Sequence, residues 1–72
     1  MRKRWQPAYT EYSLTLERGS ERFPYYNGQV YSSLETAQWE AEKMNERRKQ
    51  GRVIVESRER PAAYVYETTL HF

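Results

Sequence analysis

The sequence contains no cysteine, and its only histidine is His71. A disulfide framework is therefore excluded, and so is a zinc site built from cysteine and histidine ligands. The histidine is the penultimate residue, near a chain end that we expect to be mobile, so a nucleophilic serine has no obvious general base. The glutamates are scattered, whereas acid–base catalysis by carboxylates needs two of them in one partly dry cleft. We therefore predict a protein that is not an enzyme and that holds neither a metal ion nor a cofactor.

Long apolar runs are also missing from the sequence. Residues 1–4 form a basic start like that of a secretory signal, but polar residues interrupt the apolar segment that should follow. No stretch approaches the roughly 20 apolar residues that a membrane span requires. We predict a soluble, cytoplasmic chain with one domain over residues 1–72, in which residues 1–7 are a flexible basic arm.

Alternating side chains predict strands on both sides of a single helix. Residues 9–17 and 63–72 alternate apolar with polar positions, which is typical of strands with one wet face. Residues 21–26 and 29–31 are shorter predicted strands around Asn27 and Gly28, a pair that favours a type I′ hairpin turn. The first three strands should form an antiparallel meander. Residues 52–57 contain three successive apolar residues with branched Cβ atoms, which predict a further strand.

The helix is predicted to run from residue 33 to about residue 50. Ser32 and Glu35 fit a capping box at its start, and Gly51 suits the position just after its end. At about 100° per residue, one narrow stripe carries the apolar residues Leu34, Ala37, Ala41 and Met44. The expected fold is α+β, an antiparallel sheet in the order ββ(β)αββ with one helix packed on one face.

Trp39 lies roughly 160–180° from the centre of that apolar stripe. Tryptophans are well buried on average, so the N-terminal arm or the end of the last strand could cover the ring, or the helix could be rotated. Alternatively, the ring is an exposed anchor, since tryptophan is enriched at interface hot spots. The candidate partner-binding residues on this side of the helix are Trp39, Lys43, Glu46 and Thr36.

The basic residues allow a second interpretation. The chain carries 12 lysines and arginines against 10 acidic residues, a balance that permits nucleic acid without requiring it. The densest cluster of basic residues, in residues 46–52, is either a solvated helix end that offsets the helix dipole or a surface that contacts phosphates. The candidate nucleic-acid-binding residues are Arg22, Arg47, Arg48, Lys49 and Arg52.

The order of a hairpin, an aromatic residue, a pair of serines and a helix resembles the small N-terminal domains of phage-type integrases. The residues that carry the resemblance are Tyr31, Ser32, Ser33, Glu35 and Ala37, and it spans roughly residues 9–50. The resemblance implies a three-stranded sheet that binds DNA. The chain differs from those domains by two further strands after the helix and by glutamates on the first hairpin.

These observations predict a small non-enzymatic protein-binding module. We expect a phage or mobile-element regulator or inhibitor that occupies a surface of a larger partner, for example a host-defence protein. A small nucleic-acid-binding module is the alternative. A homodimer is a third prediction, since the long last strand could pair with a copy of itself through a free edge.

Overall fold

The structure is a computed structural model of the chain and describes residues 2–67. It confirms the α+β class, with antiparallel strands and a helix that packs on one face of a sheet. The elements in chain order are β1 (Arg2–Gln6), β2 (Tyr9–Arg18), β3 (Glu21–Phe23), β4 (Val30–Tyr31), α1 (Leu34–Glu46), β5 (Arg52–Arg60) and β6 (Ala63–Glu67). Residues 68–72 of the predicted last strand lie outside the described residues.

Strand β2 is the centre of the main sheet. Strand β5 pairs with it along nearly its whole length, from the Tyr9–Arg60 pair to the Glu17–Arg52 pair. Strands β3 and β4 both pair with β2 as well, at its end and its middle respectively. Because a strand has only two edges, β3 and β4 must lie end to end on the edge opposite β5.

The predicted meander of the first three strands is wrong, because β3 and β4 each pair with β2 and not with one another. The type I′ turn at Asn27 and Gly28 is also wrong: a positive φ occurs at Gly28 and Tyr25, but not at Asn27. The segment between β3 and β4 is instead tied to β2 by a backbone hydrogen bond, in which Tyr26 N donates to Leu14 O at 2.8 Å. Asn27 turns the chain through its side chain, whose Oδ1 accepts from Gln29 N at 3.2 Å.

Strands β1 and β6 continue the ladder of β2 and β5 beyond the main sheet. Their pairing, from Gln6–Ala63 to Arg2–Glu67, keeps the register of the Tyr9–Arg60 pair. Pro7 and Pro61 interrupt the ladder between the two parts, since proline has no N–H to donate. Within the described chain, β1 and β6 contact each other and no other helix or strand. Residues 2–6 of the predicted flexible arm (residues 1–7) thus form a strand, because β6 supplies a partner.

Helix α1 begins and ends differently from the sequence prediction. Ser33 caps it in place of Ser32, and its side chain accepts from Thr36 N at 3.4 Å. The helix ends at Glu46, with Arg47 as its C-cap, so Arg47, Arg48 and Lys49 lie beyond its last turn. Gly51 has a positive φ of 78° and lies 2.9 Å, measured from a hypothetical Cβ, from Glu17 O. Its role is therefore to start β5 close to β2 and not to cap the helix.

The core lies between α1 and one face of the sheet. Its buried residues are Leu14, Leu16, Ala37, Ala41 and Val53, with Tyr12, Tyr31, Met44 and Val55 packed around them. Three of the four predicted stripe residues therefore face the sheet. Leu34 is the exception, since it is 43% exposed.

Candidate interaction surfaces

The outward side of α1 carries the four residues predicted to bind a partner. We call Thr36, Trp39, Lys43 and Glu46 the Trp39 surface; all four are exposed. Trp39 is 57% exposed, so neither the N-terminal arm nor a rotation of the helix buries it. The helical period places it opposite Ala37 and Ala41, which are both buried against the sheet.

The ring of Trp39 has a defined neighbour on the helix surface. The Nζ of Lys43 lies 4.0 Å from the ring centroid, close enough for a cation–π contact. Lys43 also lies 3.8 Å from an oxygen of Glu40, one turn away. The ammonium group of Lys43 therefore lies over one side of the indole, and more than half of the area of residue Trp39 stays open to solvent.

The predicted nucleic-acid cluster does not form one continuous surface. Arg22 and Arg52 lie opposite Glu17 on either side of β2, so the central strand lies between these two positions. Arg48 is engaged, with Nη1 2.9 Å from Tyr26 Oη and Nε 3.3 Å from Gln50 O. Arg47 and Lys49 are exposed in the segment after α1. The five cations are thus divided between the sheet and the end of the helix.

The sheet face turned away from α1 carries a polar network that the sequence did not predict. Glu56 accepts hydrogen bonds from the Thr15 hydroxyl and from Arg22 Nη2, the latter at 2.6 Å. The hydrogen bond from Thr15, together with the guanidinium of Arg22, holds the pKa of Glu56 below its usual value. Thr15 is only 1% exposed although it lies outside the apolar core. It is therefore a structural hydrogen-bond donor and not a free hydroxyl.

The segment after β3 partly covers this face. Pro24 and Tyr25 line a groove of about 250 Å³ together with Thr15, Glu56 and Arg58. Tyr25 adopts a φ of 51°, which is uncommon for a tyrosine, and its hydroxyl accepts from Arg58 Nη1 at 3.1 Å. That hydrogen bond raises the pKa of Arg58. The groove is thus lined by side chains that already bind one another.

A third surface is the two-stranded extension made by β1 and β6, which we call the aromatic arm (residues 2–6 and 63–67). Directly opposed residues share a face of a ribbon, so Trp5 lies beside Tyr64, and Lys3 beside Tyr66. The Trp5 and Tyr64 rings meet edge to face with centroids 5.0 Å apart, and Lys3 Nζ is 5.8 Å from the Tyr66 ring. Trp5, Tyr64 and Tyr66 are all exposed.

Sequence reasoning missed the aromatic arm because β1 has no apolar alternation of its own. Its only large apolar side chain is Trp5, among Arg2, Lys3, Arg4 and Gln6. The one available signal was the pair of prolines, since Pro7 precedes β2 and Pro61 follows β5. That signal is only recognisable once the register of β2 and β5 is known.

Within residues 2–67 there is no cluster of three or more metal-ligating side chains and no helix with the length and apolar character to cross a membrane. The chain matches no protein-family model, and comparisons with curated proteins and with solved structures give no match either. The resemblance to integrase domains therefore stays a prediction.

Proposed function

We propose that the chain is a non-enzymatic protein-binding module that occupies a surface of a larger protein through the Trp39 surface. A regulator or inhibitor of phage or mobile-element origin would act in this way. The observation that carries the proposal is the exposed indole of Trp39 on the side of α1 opposite the core. Tryptophan is the residue most typical of interface hot spots, where a few aromatic anchors dominate the binding energy.

The surroundings of Trp39 support this role. A side chain that is held before binding loses less conformational entropy when a partner arrives. The cation–π contact of Lys43 restrains the ring, and Lys43 with Glu46 supplies the charged rim that usually surrounds an aromatic anchor. A core role is excluded for this residue, since the two small residues Ala37 and Ala41 already fill the contact with the sheet.

Replacing Trp39 by alanine is expected to abolish capture of the partner. The wild-type chain and the Trp39→Ala variant are immobilised separately, exposed to lysate from the source cells, and the retained proteins are quantified by mass spectrometry. A protein that binds this surface should be held roughly 30-fold more weakly by the variant, equivalent to a hot-spot loss of about 2 kcal/mol.

Gln38→Ala is the matched control, because Gln38 is an exposed residue of α1 that does not belong to the Trp39 surface. It should retain the same proteins as the wild-type chain. Circular dichroism should show the same helix content for both variants. If every protein captured by the wild-type chain is also captured by Trp39→Ala, the Trp39 surface is not the binding site.

A nucleic-acid-binding module is the second candidate, and the charge distribution favours the aromatic arm as its site. Residues 7–62 contain nine lysines or arginines and nine glutamates, so they have no net charge. Residues 2–6 carry three cations and residues 63–67 one glutamate, so the net charge of +2 belongs to the arm. Exposed aromatic rings beside cations form a stacking platform for single-stranded nucleic acid.

Two variants that each remove three positive charges distinguish a site on the aromatic arm from a site on the rest of the chain, which we call the body. Arg2, Lys3 and Arg4 are replaced by serine in one, and Arg47, Lys49 and Arg52 in the other. Fluorescence anisotropy with a labelled single-stranded oligonucleotide at low salt should show loss of binding for the arm variant alone. Binding by the wild-type chain should fall steeply with added salt. No binding at low salt contradicts the nucleic-acid function, whereas loss in the body variant alone places the site at the predicted basic cluster.

A further inference from the structure

The outer edge of β5 presents backbone hydrogen-bonding groups in a known order. Val53 N donates to Asn45 Oδ1 at 2.8 Å, and Asn45 Nδ2 donates to Val53 O at 2.9 Å. Both groups of Val53 therefore point away from β2. Backbone groups alternate between the two sides along an antiparallel strand. The N–H and C=O groups of Val55, Ser57 and Glu59 accordingly point to the same outer edge.

The opposite edge of β2 confirms this alternation. Leu14 is directly opposite Val55, and Leu14 O accepts from Tyr26 N on the side away from β5. The Leu14–Val55 pair is thus one in which neither residue bonds to the other through its backbone. In the described chain, β5 pairs only with β2, so its outer edge from Val55 to Glu59 has no strand beside it.

We propose that this edge is the interface of a homodimer, in which β5 pairs antiparallel with β5 of a second copy about a two-fold axis at Ser57. In this register Ser57 lies opposite Ser57, and Val55 lies opposite Glu59. All of these residues have outward-facing backbone groups, so they would form about six hydrogen bonds between the strands. The two copies would share one continuous sheet through identical surfaces.

The charges of Glu56 and Arg58 favour this register over the two registers in which the axis is shifted by one residue. Centred on Ser57, the pairing places Glu56 of each copy directly opposite Arg58 of the other, which is favourable in an antiparallel pair. A two-fold axis at Glu56 would instead place Glu56 against Glu56, and an axis at Arg58 would place Arg58 against Arg58. Like charges directly opposite each other are destabilising.

The ends of the proposed ladder are already closed within each chain. The next pair of residues with outward-facing backbone groups, beyond Val55 and Glu59, is Val53 with Pro61. The backbone groups of Val53 are satisfied by the side chain of Asn45, and Pro61 has no N–H. The edge is therefore open over a short, defined length, which limits pairing to two copies and opposes extended aggregation.

A single cysteine tests the register, because the chain contains no other thiol. In a Ser57→Cys variant the two sulfurs belong to directly opposed residues, within reach of a short bismaleimide. In a Glu59→Cys variant they are displaced by four residues, about 14 Å along the strands. We expect the Ser57→Cys variant to form a cross-linked dimer at least tenfold faster than the Glu59→Cys variant. Both positions are exposed, so the reactivity of each thiol toward a monofunctional maleimide serves as the control.

Sedimentation equilibrium of the unmodified chain gives an independent measurement, with a monomer–dimer equilibrium as the expected result. A monomer at all concentrations overturns the proposal and leaves the edge to a strand from another protein. Equal cross-linking of the two variants also overturns it, since the dimer would then use another surface. The test is separate from that of the Trp39 surface, which lies on the outward side of α1.

Discussion

Replacing Leu14 by alanine is expected to remove a large part of the folding free energy of the chain. Leu14 is fully buried at the centre of β2, where it is packed by α1 and lies opposite Val55. Removing a buried leucine side chain usually costs about 2–5 kcal/mol, through lost burial and the cavity that remains. Small domains have little stability to lose, since the free energy of unfolding is about 5–15 kcal/mol for proteins in general and is lowest for the smallest domains. Urea unfolding followed by circular dichroism measures the change.

Leu34→Ala is the matched control for this prediction. The substitution is identical and Leu34 belongs to the predicted apolar stripe of the helix, but Leu34 is 43% exposed whereas Leu14 is fully buried. We expect a loss below about 1 kcal/mol, partly offset because alanine is the best helix former. If the two variants are destabilised equally, the core does not lie where the structure places it.

Replacing Asn45 by alanine is expected to cost about 2–4 kcal/mol of folding free energy. The substitution removes both hydrogen bonds between the side chain and Val53, and it leaves two backbone groups of a buried residue without a partner. A buried polar group without a partner costs about 1–3 kcal/mol, more than the net value of the bond itself. The loss should also weaken the connection between the end of α1 and the start of β5, which amide hydrogen exchange at Val53 would detect.

Gln38→Ala provides the comparison for Asn45, because it removes a similar amide from the same helix. Gln38 is exposed and no hydrogen bond of its side chain is found in the described chain. Its substitution should change stability by no more than about 0.5 kcal/mol. If Asn45→Ala is as mild as Gln38→Ala, the two hydrogen bonds to Val53 do not fix the end of α1 against the sheet.

Periodicity predicted the strand and the helix that each have one apolar side. The alternation over residues 9–17 gave β2, and the stripe of Ala37, Ala41 and Met44 gave the inward side of α1. It also gave the outward position of Trp39, because the helical period fixes opposite sides once one side is known. The exposure of Trp39 was not predictable, since it depends on whether any other segment covers that side of the helix.

Turn chemistry was a weaker guide than periodicity. Asn27 and Gly28 favour a hairpin locally. In the structure β3 and β4 both pair with the longer strand β2, so tertiary pairing overrode the local preference. Ser33 capped α1 although Ser32 also fitted, because either serine can supply the capping oxygen.

The amino-acid order by itself determined the α+β class, the two sides of the helix and the lack of cysteine chemistry, because these depend on local spacing and composition. Only the tertiary structure decided that Arg2–Gln6 forms a strand, that Asn45 closes the edge beside Val53, and that the net charge lies on the aromatic arm. Each of these joins residues that are distant in the chain, and strand pairing has no local pattern that specifies its partner.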